Sequence, residues 1–149
     1  MASLTGSCAC HHITYTTTQP PQDTVNCHCT TCRKLSGGPF QSWTSFPLAA
    51  IVWNTEPTFR RSSDVASRGF CPKCGASMAM KYDYESGHLS VTTGTIDETL
   101  RSEIPKPSRH LFVREKAAWF DLPDDEAERV DGFTPEMIEG LNSLQRKSN

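Results

Sequence analysis

A chain of 149 residues falls within the size of one domain. With 36 % hydrophobic residues and a mean hydropathy of −0.48, the core it can build is modest, and no stretch approaches the apolar length of a membrane span. A formal net charge of −2, with lysines and arginines scattered, lacks the basic face that nucleic-acid binding demands.

Along the chain, the pattern predicts short strands punctuated by turns. Ile13 to Thr18 is β-branched and aromatic, and Gln19-Pro20-Pro21-Gln22-Asp23 breaks it. A short helix runs through Cys32, Arg33, Lys34 and Leu35 until Gly37-Gly38-Pro39 stops it. Phe40 to Phe46 reads as a strand with Phe40, Ser42, Thr44 and Phe46 on one face and Trp43 on the other. Ala50 to Trp53 and Thr58 to Arg61 follow, around an Asn54-Thr55-Glu56-Pro57 turn. Ser77 to Tyr82 presents Met78, Met80 and Tyr82 on one face, and His88 to Thr93 and His110 to Arg114 complete the series. Leu122 to Glu126 is an acidic connector with no functional reading. The chain closes with a helix over about 134–145: Thr134 is a good N-cap, Pro135 suits the first helical position, and Phe133 and Ile138 occupy the staple positions. Its Met137, Ile138, Leu141 and Leu144 stripe is expected to pack on the sheet. Turn signals spaced this closely predict a mainly β fold, sandwich-like or barrel-like, of short antiparallel strands with a few short helices.

The seven cysteines fall into three groups: Cys8 and Cys10 as C-x-C, Cys27, Cys29 and Cys32 as C-H-C-x-x-C, and Cys71 and Cys74 as C-P-K-C-G. Such spacings turn neighbouring thiolates onto one ion, the usual arrangement for zinc. Two zinc ions per chain are expected. C-x-C and C-P-K-C-G resemble the halves of a zinc ribbon, so Cys8, Cys10, Cys71 and Cys74 would close a four-sulfur structural site, with Gly75 supplying a positive φ. Cys27, Cys29 and Cys32 would share a second ion if the helix starts near Cys29, and three ligands leave a fourth position for solvent or substrate. A disulfide framework competes with this reading, as does a pair of closed zinc sites completed by His11, His12, His28 or His110. Residues 1–7 combine neither a basic start nor an apolar run, so a reducing, cytoplasmic setting is expected, where thiols persist.

Several stretches carry a family resemblance: Gly6-Ser7-Cys8-Ala9-Cys10, Cys27-His28-Cys29-Thr30-Thr31-Cys32-Arg33-Lys34, Ser36-Gly37-Gly38-Pro39-Phe40 and Arg68-Gly69-Phe70-Cys71-Pro72-Lys73-Cys74-Gly75. Thr93-Gly94-Thr95-Ile96-Asp97 and Pro107-Ser108-Arg109-His110-Leu111-Phe112 add to it. Over about residues 5–122 the chain resembles the glutathione-dependent formaldehyde-activating enzyme family, which includes the centromere protein V relatives. The resemblance implies a zinc-dependent β-tent fold, the metal partition above with Cys27, Cys29 and Cys32 at the active site, and carbon–sulfur lyase chemistry. That chemistry interconverts glutathione plus formaldehyde with S-hydroxymethylglutathione. The chain departs from the family at His11-His12, where a glycine usually follows the first C-x-C.

A substrate held over the second ion needs walls and a charge anchor. Phe40, Trp43 and Phe46 could line it, Arg33, Lys34 and Arg68 could receive carboxylates, and His110 could move a proton. Each has a plainer reading, as core, as solvated charge or as a structural histidine. The expected partner is a small molecule, glutathione or another thiol adduct. An isomerase, epimerase or lyase on another metabolite and a zinc-stapled binding module are the alternatives.

Overall fold

The computed structural model describes residues 3–98 and 103–148; Met1 and Ala2, part of the leader reading, lie outside them. Among the described residues eleven strands form two sheets. The smaller takes the order β1 (Thr5–Ser7), β2 (Thr14–Thr17), β5 (Ile51–Trp53). The larger runs β11 (Glu128–Val130), β10 (Arg109–Leu111), β3 (Asp23–Cys27), β4 (Gln41–Pro47), β9 (His88–Thr92), β8 (Ser77–Tyr82), β7 (Ala66–Phe70), β6 (Thr58–Arg61). Two α-helices, α1 (Thr30–Ser36) and α2 (Pro135–Lys147), complete the mainly β fold that the patterning predicts. Among the described residues no helix is long and apolar enough to cross a membrane.

Pairing is antiparallel except at β10, which runs parallel to both β3 and β11. The β3–β10 ladder sets Leu111 opposite Cys27 and His110 opposite Asn26. With β4 on the other side, where Cys27 lies opposite Gln41, it holds the end of β3, where the second cysteine group begins, from both sides.

Alternation along β4 divides the interior. Phe46 belongs to one buried cluster with Leu4, Ile13, Tyr15, Leu89 and Val91, beneath the smaller sheet. Trp43, on the other face, joins Cys27, Cys32 and Leu111 in a second cluster. Along β8 the expectation that Met78, Met80 and Tyr82 share a face is corrected. Gly69 pairs with Ala79 but Phe70 pairs with Ser77, so Met78 is an extra residue in a bulge. A bulge shifts which face the following side chains take. Met78 and Ala79 both enter the first cluster, while Met80 packs on the second.

Three expected boundaries also move. The His110 to Arg114 strand ends at Leu111 because Phe112 adopts a left-handed φ of 56°. Residues 48–50 form a 3₁₀ turn, so the Ala50 to Trp53 strand starts at Ile51. Asp23, read as the end of a break, starts β3. α2 is capped as expected, the Thr134 hydroxyl accepting the Met137 N–H at 3.2 Å. Its stripe does not lie flat on the sheet, however: no residue of α2 is fully buried and Ile138 is 47 % exposed. Of its residues only Met137 reaches the second cluster, and Phe133, just before the helix, packs edge-on against Phe112 with 4.8 Å between ring centroids.

Candidate metal centres

Each cysteine pair of the four-sulfur group is bent by its own backbone. The Ile13 N–H donates to Cys8 Sγ at 3.2 Å and the Cys8 N–H to the Ile13 carbonyl at 3.0 Å. On the other side the Gly75 N–H donates to the Cys71 carbonyl at 2.8 Å, a closure that needs the positive φ of 77° at Gly75. His11 takes φ 60° in the matching turn. This is where the chain carries histidine in place of the expected glycine, so the turn is kept at the cost of some strain. The four sulfurs lie within 4.8 Å of one another, with Cys8 to Cys10 at 3.7 Å and Cys10 to Cys71 at 3.8 Å. Cys8 and Cys71 are buried and Cys10 and Cys74 exposed.

The three-sulfur group is built by the β3–α1 junction. Cys27 ends β3, and Cys29 is the N-cap of α1, its sulfur accepting the Cys32 N–H at 3.3 Å. The Thr30 N–H and hydroxyl both donate to Glu115 Oε1 at 3.1 Å, which ties the first turn of the helix to the segment after β10. All three sulfurs again lie within 4.8 Å of one another. None of the seven cysteines is in a disulfide, and no histidine belongs to either cluster. Converging sulfurs with no apolar filler between them fit a soft divalent ion such as zinc.

Arg68, on β7, supports this second cluster. It is 8 % exposed, its Nη2 donates to Cys32 Sγ at 3.5 Å, and its guanidinium lies 5.5 Å from the centre of the Trp43 ring. Hydrogen bonds from Cys27 and Cys29, and then the Arg68 charge, favour the thiolate at Cys32. Hydrogen bonding to Cys29 and Cys32, and then burial, push the Cys27 thiol up.

Two cavities meet at this cluster. One of about 240 Å³ is walled by Cys27, Cys29, Cys32, Arg68 and Tyr82. The other, of about 480 Å³, runs from Cys27 and Trp43 past Tyr82 and Tyr84 to Met137 on α2. Cys27, Met80, Tyr82 and Phe112 belong to both walls.

Of the residues singled out as substrate contacts, Trp43 and Arg68 are in these walls. Phe40 is not: it packs on His28 at 5.3 Å and Phe120 at 5.8 Å, behind the cysteine loop. Arg33 and Lys34 line neither cavity; Lys34 is exposed, and the Arg33 charge is felt by His28. His110 also sits behind the loop. Both His28 and His110 are fully buried, with His28 Nε2 2.9 Å from His110 Nδ1 and His110 Nε2 3.0 Å from Asp125 Oδ2. With a carboxylate at the end, the donors run from the His28 Nε2–H to His110 Nδ1 and from the His110 Nε2–H to Asp125. Burial, and then the neighbouring His110, push His28 down to about 4. Asp125 is held at about 2, first by His110 and then by Arg129. This corrects the reading of the acidic connector as inert: one of its carboxylates completes a buried chain. Tyr82, Tyr84 and Met137 were missed as cavity walls because only tertiary packing brings them to Cys27.

Comparison with curated proteins gives no match at all. Among solved structures, a crystal structure of a Rhodobacter sphaeroides protein superposes with a TM-score of 0.55 at 14 % identity, covering 69 % of this chain and 96 % of that one; it shows the fold alone. Both cysteine clusters, by contrast, fall within residues 3–115, the stretch that matches the family described as glutathione-dependent formaldehyde-activating enzyme. On that match over most of its length, this chain belongs to the glutathione-dependent formaldehyde-activating enzyme family.

Proposed function

We propose that the protein is a zinc enzyme of carbon–sulfur lyase type, acting on a small thiol or thiol adduct such as S-hydroxymethylglutathione. One observation supports this reading: three sulfurs, not four, converge in the wall of the smaller cavity, and one of the three residues, Cys27, also lines the larger. Cys27, Cys29 and Cys32 would hold the active-site ion, and Cys8, Cys10, Cys71 and Cys74 the structural one. Bound by three thiolates, zinc would leave a vacant position in which a substrate thiol is held as thiolate.

The chain's own groups set the rest. Arg68 offsets the negative charge of the cysteine cluster and is itself fixed by Trp43. Leu111, Met80 and Phe112 keep the surroundings apolar, which strengthens every charge interaction inside. In the synthetic direction the thiol gives its proton to solvent, its sulfur bonds to the formaldehyde carbon, the carbonyl π pair moves to oxygen, and that oxygen takes a proton from solvent. The reverse breaks the same C–S bond. Tyr82 lines both cavities, and burial pushes its phenol up, so its hydroxyl remains a donor for the developing oxygen. A reducing, cytoplasmic setting would keep the seven thiols available.

Cobalt substitution tests the reading. A fourth sulfur ligand intensifies the thiolate charge-transfer band, so titration with glutathione should change the spectrum of the wild type and not that of Cys29→Ser. No response to any thiol would favour an enzyme that binds its substrate through oxygen.

A further inference from the structure

The larger cavity differs from what a dicarboxylate such as glutathione requires. Its wall beside Cys27 is aromatic and thioether: Trp43, Tyr82, Tyr84, Phe112, Met80 and Met137. Its charged lining is Asp23, Glu85 and Glu136 against Arg109, three carboxylates to one guanidinium. That guanidinium is already engaged, with Arg109 Nε 3.5 Å from Glu128 Oε2 and Nη1 3.8 Å from Asp23 Oδ2. The basic residues of the cysteine loop, Arg33 and Lys34, line neither cavity, and Arg68, whose Nε and Nη1 have no hydrogen-bond partner, lines the smaller cavity and not the larger. In the larger cavity an incoming carboxylate would meet three like charges, against the His88 imidazole and one guanidinium already shared between two carboxylates.

On the wall of the larger cavity the buried side-chain polar atoms that lack partners are neutral. Trp43 Nε1 and the Tyr84 hydroxyl are both buried without a hydrogen bond. Unpaired donors of this kind suit a ligand carrying a neutral acceptor. Tyr82 and Tyr84 stack with 5.2 Å between centroids, a flat apolar surface. The cavity of about 480 Å³ falls within the range of small-molecule sites.

We propose that this cleft receives the non-thiol end of the substrate, and that this end is an aromatic or similarly flat apolar body without carboxylates. The assignment rests on a substrate sulfur being held beside Cys27. It makes Trp43, Tyr84 and Met137 the specificity-determining residues, and it sets this chain apart from a glutathione-selective site.

Calorimetric titration of the zinc-loaded full chain with benzyl mercaptan, benzyl alcohol and glutathione tests it. Benzyl mercaptan should bind at least about tenfold more tightly than glutathione. Met137→Ala, at a half-buried helix position on the edge of the second cluster, should weaken benzyl mercaptan by about three- to tenfold and leave glutathione unchanged. Trp43→Phe, which keeps the ring but removes the N–H, gives a second variant should the helix shift. Benzyl alcohol that matches the thiol, and loses the same factor in Met137→Ala, would uphold the cleft and overturn the thiol reading. Glutathione binding as tightly as benzyl mercaptan, with Met137→Ala inert, would overturn the cleft and leave the thiol reading standing. Failure of both aromatic probes to bind would also overturn it.

Discussion

Arg68 shows how much depends on a single side chain around the second cysteine cluster. Three thiolates on a divalent ion leave one net negative charge in a largely apolar site, and Arg68 is the cation in contact with it. A hydrogen bond to a charged group is worth about 1.5–3 kcal/mol. Arg68→Ala should therefore lower metal affinity at the three-cysteine site by about 10- to 150-fold, while the four-cysteine site keeps its ion. Competition with a chromogenic chelator measures both, and equal losses at the two sites would contradict the assignment. Asp125 acts at the other end of the loop. Its pKa is depressed in the folded chain, from 3.8 to about 2, so its stabilising contribution is complete above about pH 4 and is lost as the pH falls through about 2. The stability difference between the wild type and Asp125→Asn should be constant above pH 4 and shrink toward zero below it. Taking the difference cancels the acid effect of the thiolates themselves. A difference that grows on acidification would mean that His110 holds some other partner. The seven sulfurs were legible in the sequence because metal ligation leaves a spacing signature. Asp125 and Tyr84 were not, since each contact joins residues distant along the chain and nothing local marks it.

Helix α2 closes the larger cavity, and one glycine allows it. A Cβ on Gly140 would sit 2.3 Å from Cδ2 of Tyr84, inside the ring that stacks on Tyr82. Alanine is the better helix former by about 1 kcal/mol, so helix propensity alone predicts stabilisation. The ring cannot yield cheaply, and overpacking costs about 1–3 kcal/mol. Gly140→Ala should lower thermal stability or lift α2 from Tyr84, read as faster amide exchange in residues 135–147; a stabilised variant would mean that α2 does not rest on Tyr84. Elements of this kind were legible to different degrees. α2 was found through its Thr-Pro start, and β4 through its aromatics and hydroxyls. β7, sequence Ala-Ser-Arg-Gly-Phe, has four of its five residues buried, so it carries no alternation, and its glycine and arginine read as loop. β11 is three residues of a sheet edge, Glu-Arg-Val, with no apolar face to betray it. The bulge at Met78 was invisible because a period of two cannot reveal its own interruption.

The four-cysteine cluster acts at the scale of the whole molecule. Cys8 and Cys10 follow β1 of the smaller sheet, and Cys71 and Cys74 follow β7 of the larger, so their convergence joins the two sheets. The sheets also share the first buried cluster, where Tyr15 and Ile51 meet Phe46, Leu89 and Val91, and a few polar links: Gly6 bridges Ile96, the Tyr15 hydroxyl lies 2.9 Å from Thr95 Oγ1, and the Asp97 N–H reaches the Thr5 carbonyl. A structural zinc contributes on the order of 10 kcal/mol of apparent binding free energy. A domain's total stability is only about 5–15 kcal/mol. Loss of that ion should therefore unfold the chain, and Cys71→Ser should be insoluble or lack strand signal in circular dichroism. The three-cysteine cluster lies within one neighbourhood, between β3 and α1, and joins nothing that β-sheet pairing does not already hold. Cys32→Ser should remain folded and retain about one zinc per chain. Stepwise removal of metal from the wild type should show the same order: first a loss of thiol binding with the strand signal intact, then collapse of that signal with the second ion. If Cys32→Ser unfolds as completely as Cys71→Ser, the division between a stapling ion and a reacting one is wrong.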